Sequence, residues 1–68
     1  MTYVELNDED NSIIDTRGIR NISVDNVSDD LHYIKIRYKY KDTSCSYEYK
    51  DIETLYEDRE KIKEKLGF

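Results

Sequence analysis

Residues 31–50, LHYIKIRYKYKDTSCSYEYK, alternate apolar or aromatic side chains with charged or small polar ones in two runs separated by a short polar stretch. A period of two places successive side chains on opposite faces of a strand, so two such runs joined by a short loop specify an antiparallel hairpin. Ile34, Ile36 and Tyr38 share one parity of the first run, and Cys45, Tyr47 and Tyr49 share the opposite parity of the second. Whether the loop is Lys41-Asp42 or residues 41–44, even positions pair with odd ones and both apolar sets fall on one face. In those registers Cys45 stands opposite Tyr38 or Tyr40. The other face carries Tyr33, Lys35, Arg37 and Lys39, opposed by Ser44, Ser46, Glu48 and Lys50.

A sheet with one apolar face needs a cover, and the C-terminal segment supplies it as a helix over 51–66. Asp51 can cap it, and Ile52, Leu55, Tyr56, Arg59, Ile62 and Leu66 recur at steps of three and four, forming a stripe crossed by one arginine stem. Acids (Glu53, Glu57, Asp58) crowd the first turns and Lys61, Lys63 and Lys65 the last, as the helix dipole favours. Gly67 supplies a left-handed stop, with Phe68 folding back as an apolar follower.

Upstream, Tyr3-Val4-Glu5-Leu6 reads as a short strand, residues 7–11 as a polar turn and residues 12–15 as a second strand. Asp15-Thr16-Arg17-Gly18 has Asp first and Gly last, the preference of a type I turn. It leads to a strand over 19–27 with Ile22 and Val24 on one face, after which 25–30 return the chain. The expected fold is α+β in the order ββββα: four short antiparallel strands, then one amphipathic helix on a single sheet face, in one domain spanning residues 1–68.

The size of the core limits function. A chain of 68 residues hides only roughly 60% of its unfolded surface, so its stability is marginal and association is one way to add to it. Seven tyrosines and open sheet edges without any proline point to a two-fold homodimer, through the helix-free face or an edge strand near the N-terminus. The single Cys45 cannot form an internal disulfide, which fits a reducing cytoplasm. No apolar run approaches a membrane span, and MTYVELNDED has neither the basic nor the apolar region of an export signal.

Candidate chemistry is sparse, and an enzyme is not expected. Cys45 and His32 are the conceivable nucleophile and base, but six or eight residues of strand separate them in the expected registers, roughly 20 Å or more at about 3.3 Å per residue. One histidine and one cysteine make no spaced zinc set. Counted from Asp8 as a calcium loop, the sixth position is Ile13 instead of Gly and the twelfth Ile19 instead of Glu. Glu57 and Asp58 are read as an exposed pair without a pocket around them. No glycine-rich phosphate loop is present, and no cofactor is implied.

Charge directs the search towards binding. Residues 1–30 carry a net −6 and residues 31–68 a net +1, making −5 in all. An acidic front half opposes general nucleic-acid binding, which rests on neutralising phosphates. The leading expectation is therefore a protein-binding module presenting acidic loops (Asp8, Glu9, Asp10, Asp25, Asp29, Asp30) to a basic partner surface. The alternative is a nucleic-acid or nucleotide-ligand binder using Tyr33, Lys35, Arg37 and Lys39, and a third option is a structural or assembly component.

The layout as a whole adds a resemblance. A short first strand, an acidic turn, SIIDTRGIRNISV, the long YIKIRYKY strand and CSYEYKDIE running into a final amphipathic helix resemble the very small single-domain proteins of phages and mobile elements in low-GC Gram-positive bacteria. The resemblance spans the chain and rests on pattern and composition. It implies a host-takeover or anti-defence factor in the cytoplasm of the infected cell, including acidic inhibitors that imitate DNA, with a host nucleic-acid-binding or defence protein as partner. It transfers no functional site.

Overall fold

A computed structural model describes residues 3–67 of the chain; the expected return of Phe68 lies outside the described residues. Five strands precede one helix: β1 (Tyr3–Glu5), β2 (Ile13–Asp15), β3 (Ile19–Ser28), β4 (Leu31–Tyr38), β5 (Ser44–Tyr49) and α1 (Ile52–Leu66). The α+β class and the C-terminal helix are as expected. The single four-stranded sheet is not: β1 and β2 form a separate two-stranded sheet, and β3-β4-β5 form a three-stranded one, both antiparallel.

The separation arises at the turn after β2. Val4 pairs with Ile14 in the first hairpin, and the chain then reverses over Thr16–Ile19, where the Ile19 N–H donates to the Thr16 carbonyl at 3.4 Å. Gly18 occupies the third position with φ +78°, a left-handed conformation that suits glycine. The turn is thus one residue later than the Asp15–Gly18 reading. Asp15 serves it from outside, taking the Arg17 N–H at 2.9 Å.

The β4–β5 hairpin also differs in register. Ile36 faces Cys45, Ile34 faces Tyr47 and His32 faces Tyr49, so the connection spans residues 39–43, longer than either expected loop. The Lys39 N–H donates to the Gly18 carbonyl at 2.8 Å, continuing the β3–β4 ladder one residue past Tyr38. Tyr40 packs on Tyr38 with ring centroids 5.3 Å apart, and the Lys41 ammonium lies 5.5 Å from the centre of the Tyr38 ring. These contacts hold the loop open. Because the shift is by two or four residues from the expected registers, parity is preserved and the apolar face is the expected one.

One core joins both sheets and the helix. Ile34, Ile36, Leu55 and Ile62 are fully buried, with Val4, Leu6, Ile14, Tyr38 and Tyr49 closing around them. Cys45 and Tyr47 are half-buried at its margin. Helix α1 packs chiefly on β4 and β5. Asp51 caps it by accepting from the Thr54 hydroxyl at 2.8 Å and the Thr54 N–H at 3.3 Å, and Gly67 ends it at φ +83°.

The helix is rotated slightly from the expected stripe. Tyr56 is exposed, whereas Asp58, expected on the solvent face, has no exposure at all. Leu55, Asp58 and Ile62 follow one another at steps of three and four, so the buried arc is centred closer to position 58 than to 56.

Candidate functional site

The three-stranded sheet has two chemically different ends. At one end β3 passes into β4 through Asp29 and Asp30, with Ser28 paired to Leu31, and β5 finishes at Tyr49 opposite His32. Helix α1 starts there, so Ile52 lies beside Asn26, Ser28, Asp29 and His32. This end collects Asp25, Asp29, Asp30, Asp51 and Glu53 as exposed acids, with Glu48 half-buried among them. The opposite end joins the start of β3, the end of β4 and the start of β5 to the last turns of α1, where Lys63 and Leu66 approach Ile19 and Ile22. Arg20, Arg37, Lys39, Lys41 and Lys65 are exposed there, outnumbering the exposed Asp42, Glu60 and Glu64.

The expected acidic residues divide by role. Asp25, Asp29 and Asp30 meet at the acidic end, and Asp25 also holds Lys35 at 3.4 Å. The turn over residues 7–11 reaches the same side of the molecule, since the Glu9 N–H donates to the Glu48 carbonyl at 3.0 Å and the Glu9 carboxylate pairs with Lys50 at 3.5 Å. Asp10 is exposed in that turn.

Asp8 departs from the expectation. It is only 5% exposed, and its carboxylate accepts from the Ser12 N–H at 2.7 Å and the Ser12 hydroxyl at 2.8 Å. It builds the turn from inside and presents no charge to a partner.

The expected basic face is interrupted. Tyr33 lies between Asp25 on β3 and Glu48 on β5, and Lys35 between Ser23 and Ser46. Lys39 has left the strand for the loop. Arg37 alone of the four is an exposed strand residue. The separation of His32 and Cys45 also changes, because Cys45 faces Ile36, four residues from His32. At about 3.3 Å per residue they are still roughly 13 Å apart along the sheet.

Two buried polar centres escaped the sequence reading. His32, 6% exposed, sets Nδ1 2.9 Å from the Asn26 amide oxygen and Nε2 3.2 Å from the Asp29 carbonyl. It thereby fastens the bulged end of β3, where Val27 is pushed out of register.

Asp58 is the second. Its Oδ2 accepts from the Asn7 N–H and the Tyr49 hydroxyl, both at 2.6 Å, and its Oδ1 lies 2.9 Å from the Lys61 ammonium. The Asn7 side-chain amide adds a longer contact at 3.5 Å. One carboxylate therefore ties the N-terminal turn, β5 and α1 together. The Tyr49 hydroxyl is held protonated well above the ordinary tyrosine range, by burial first and by its bond to Asp58 second. The available signal was the position of Asp58 between Leu55 and Ile62 on one helical face.

Comparison with protein-family models, curated proteins and solved structures gives no match to this chain. Among the described residues no helix is long and apolar enough to cross a membrane.

Proposed function

We propose that the protein is a small non-enzymatic protein-binding module whose acidic end engages a basic surface on its partner. The observation that carries this reading is the gathering of acids from three separate stretches, the 29–30 hairpin tip, the end of β5 and the start of α1, at one end of the molecule, while the unpaired cations lie mainly at the other. A charge distribution of this kind steers a basic partner towards one orientation and raises the encounter rate. Lys35 and Lys50 at this end pair with Asp25 and Glu9, so the field there comes mainly from Asp29, Asp30, Asp51 and Glu53. The resemblance to small phage and mobile-element proteins makes an inhibitor or regulator of a host nucleic-acid-binding or defence protein the preferred biological setting, with the acidic end imitating a row of phosphates.

The contact set in this proposal is Asp29, Asp30, Glu48, Asp51 and Glu53, flanked by Asp25, Glu9 and Asp10. The test uses the double substitution Asp29→Lys with Asp30→Lys at the exposed hairpin tip. Affinity capture from host lysate should retain a basic protein with the wild-type chain and lose it with this variant, and association with that protein should slow as salt is raised. Lys35→Glu with Arg37→Glu should change capture little. Binding of the wild-type chain to plain duplex DNA at physiological salt, abolished by that second pair, would transfer the function to the basic face.

A further inference from the structure

At the end opposite the acids, the cover of the sheet is incomplete. Helix α1 sits chiefly over β4 and β5, leaving Ile19, Ile22 and Val24 of β3 only partly buried. Between β3 and the helix runs a groove of about 150 Å³ lined by Ile19, Asn21, Ile22, Arg59, Lys63 and Leu66. Its floor is aliphatic and its helical rim carries two cations. The ion-pair partner of both is Glu60, at 4.0 Å from Arg59 and 3.8 Å from Lys63, and Glu60 is itself 61% exposed. Such long, solvated pairs hold a cation weakly, so both heads are available to an incoming anion.

The other border of the groove is the free edge of β3, which pairs on one side only, with β4. Between its two register shifts, residues 21–26 run in regular pairing. This stretch contains no lysine and no proline, two of the usual guards of an exposed edge. A strand added there would lie about 4.8 Å from β3, with every second side chain directed to the helix side. An aliphatic side chain of that strand meets Ile22 and Leu66 in the half-open groove, whose lining is divided between aliphatic (Ile19, Ile22, Leu66) and polar (Asn21, Arg59, Lys63) side chains. An acidic side chain beside it reaches Arg59 and Lys63.

We infer that the β3 edge and the Ile19–Ile22–Leu66 groove form a second binding site, which takes an extended peptide segment carrying a carboxylate next to an aliphatic residue. Charge fixes where the peptide's acid lies: Asp25 and Asp29 repel it at the far end of β3, so it sits by residues 19–22. The site shares only Asp25, at its far border, with the acidic end and leaves Asp29, Asp30 and the start of α1 open, so one molecule can hold a basic surface and an acidic-aliphatic strand together.

The test is a pooled library of end-capped heptapeptides with one Glu flanked by Leu, Ile or Val and the remaining positions randomised, selected on the full-length chain. Enriched peptides should protect the β3 amides of residues 21–26 from hydrogen exchange. Arg59→Gln with Lys63→Gln, at half-exposed positions, should weaken them roughly tenfold or more while leaving the chain folded. N-methylation of alternate peptide amides, which removes strand pairing without touching the protein, should abolish binding. The inference is overturned if no peptide is enriched over a library with Lys in place of Glu, or if the N-methylated peptides bind equally well. It is also overturned if the chain sediments as a dimer and its β3 edge amides are protected from hydrogen exchange without any peptide.

Discussion

Replacing Asp58 by alanine tests the linkage of N-terminus, sheet and helix more directly than any other change. The carboxylate is fully buried, and the substitution removes the acceptor of two 2.6 Å hydrogen bonds, from the Asn7 N–H and the Tyr49 hydroxyl. A hydrogen bond to a charged group contributes about 1.5–3 kcal/mol, so the two together account for roughly 3–6 kcal/mol. The Lys61 contact adds little, because that ammonium is 45% exposed, and the better helix propensity of alanine returns roughly 0.5 kcal/mol. The expected loss is about 3–5 kcal/mol. A chain of 68 residues has a total stability of roughly 3–10 kcal/mol, so Asp58→Ala is close to unfolded. Asp58→Asn keeps the shape and one acceptor, and should lose about half as much.

Urea unfolding followed by circular dichroism gives these values, provided the denaturant slope is unchanged. Glu57→Ala, one residue away on the exposed surface, is the control and should stay within about 0.5 kcal/mol of wild type. A double-mutant cycle of Asp58→Asn with Tyr49→Phe should show a coupling of about 1 kcal/mol or more. A loss below about 1 kcal/mol for Asp58→Ala, or no coupling to Tyr49, would refute the reasoning.

Other perturbations read other parts of the fold. Leu55→Ala, at a fully buried position, should cost about 2–5 kcal/mol in the same assay. Gly18→Ala should cost about 1–2 kcal/mol, since φ is +78° and the new Cβ would stand 2.9 Å from the Tyr40 ring; a neutral result would show that the turn readily adopts another conformation. Alkaline pH should unfold the chain through its tyrosines. Burial raises the Tyr38 and Tyr47 hydroxyls to about 12 and Tyr49 higher still. Their contribution is complete below the ordinary tyrosine value of about 10 and is lost as pH rises towards about 12. Tyrosinate absorbance from these three should therefore develop together with loss of the helix signal, and ionisation in a chain that stays folded would contradict it.

The elements most legible in the sequence were those with a strict period or a defined cap. The parity of Ile34, Ile36, Cys45 and Tyr47 and the Asp51 and Gly67 boundaries of the helix are each fixed by neighbours a few residues away. What escaped depended on contacts distant in the chain. The β4–β5 connection lays Tyr40 on the Gly18 turn, and the burial of Asp58 is completed by an Asn7 amide 51 residues earlier. The division into two sheets depends on which strands find each other, and alternation alone carries no partner. At the candidate site, the charge of Asp25, Asp29 and Asp30 was readable from composition. The conversion of Asp8 into a turn-building group was not, because exposed and buried aspartates look alike until the Ser12 donors are in place.

The bonds from Asn7 to Asp58 and from Glu9 to Glu48 also set an order in time. The β3–β4 and β4–β5 hairpins close between residues near one another in sequence, and α1 begins directly after β5, so these parts assemble at low entropic cost. The N-terminal hairpin has no such freedom. Its docking groups lie on β5 and α1, so this hairpin is expected to be the last part to settle, waiting on a carboxylate some fifty residues further along the chain. Asn7→Pro, which removes the donating N–H, should then accelerate unfolding while leaving the refolding rate nearly untouched, the kinetic signature of a latch that closes after the fold it secures.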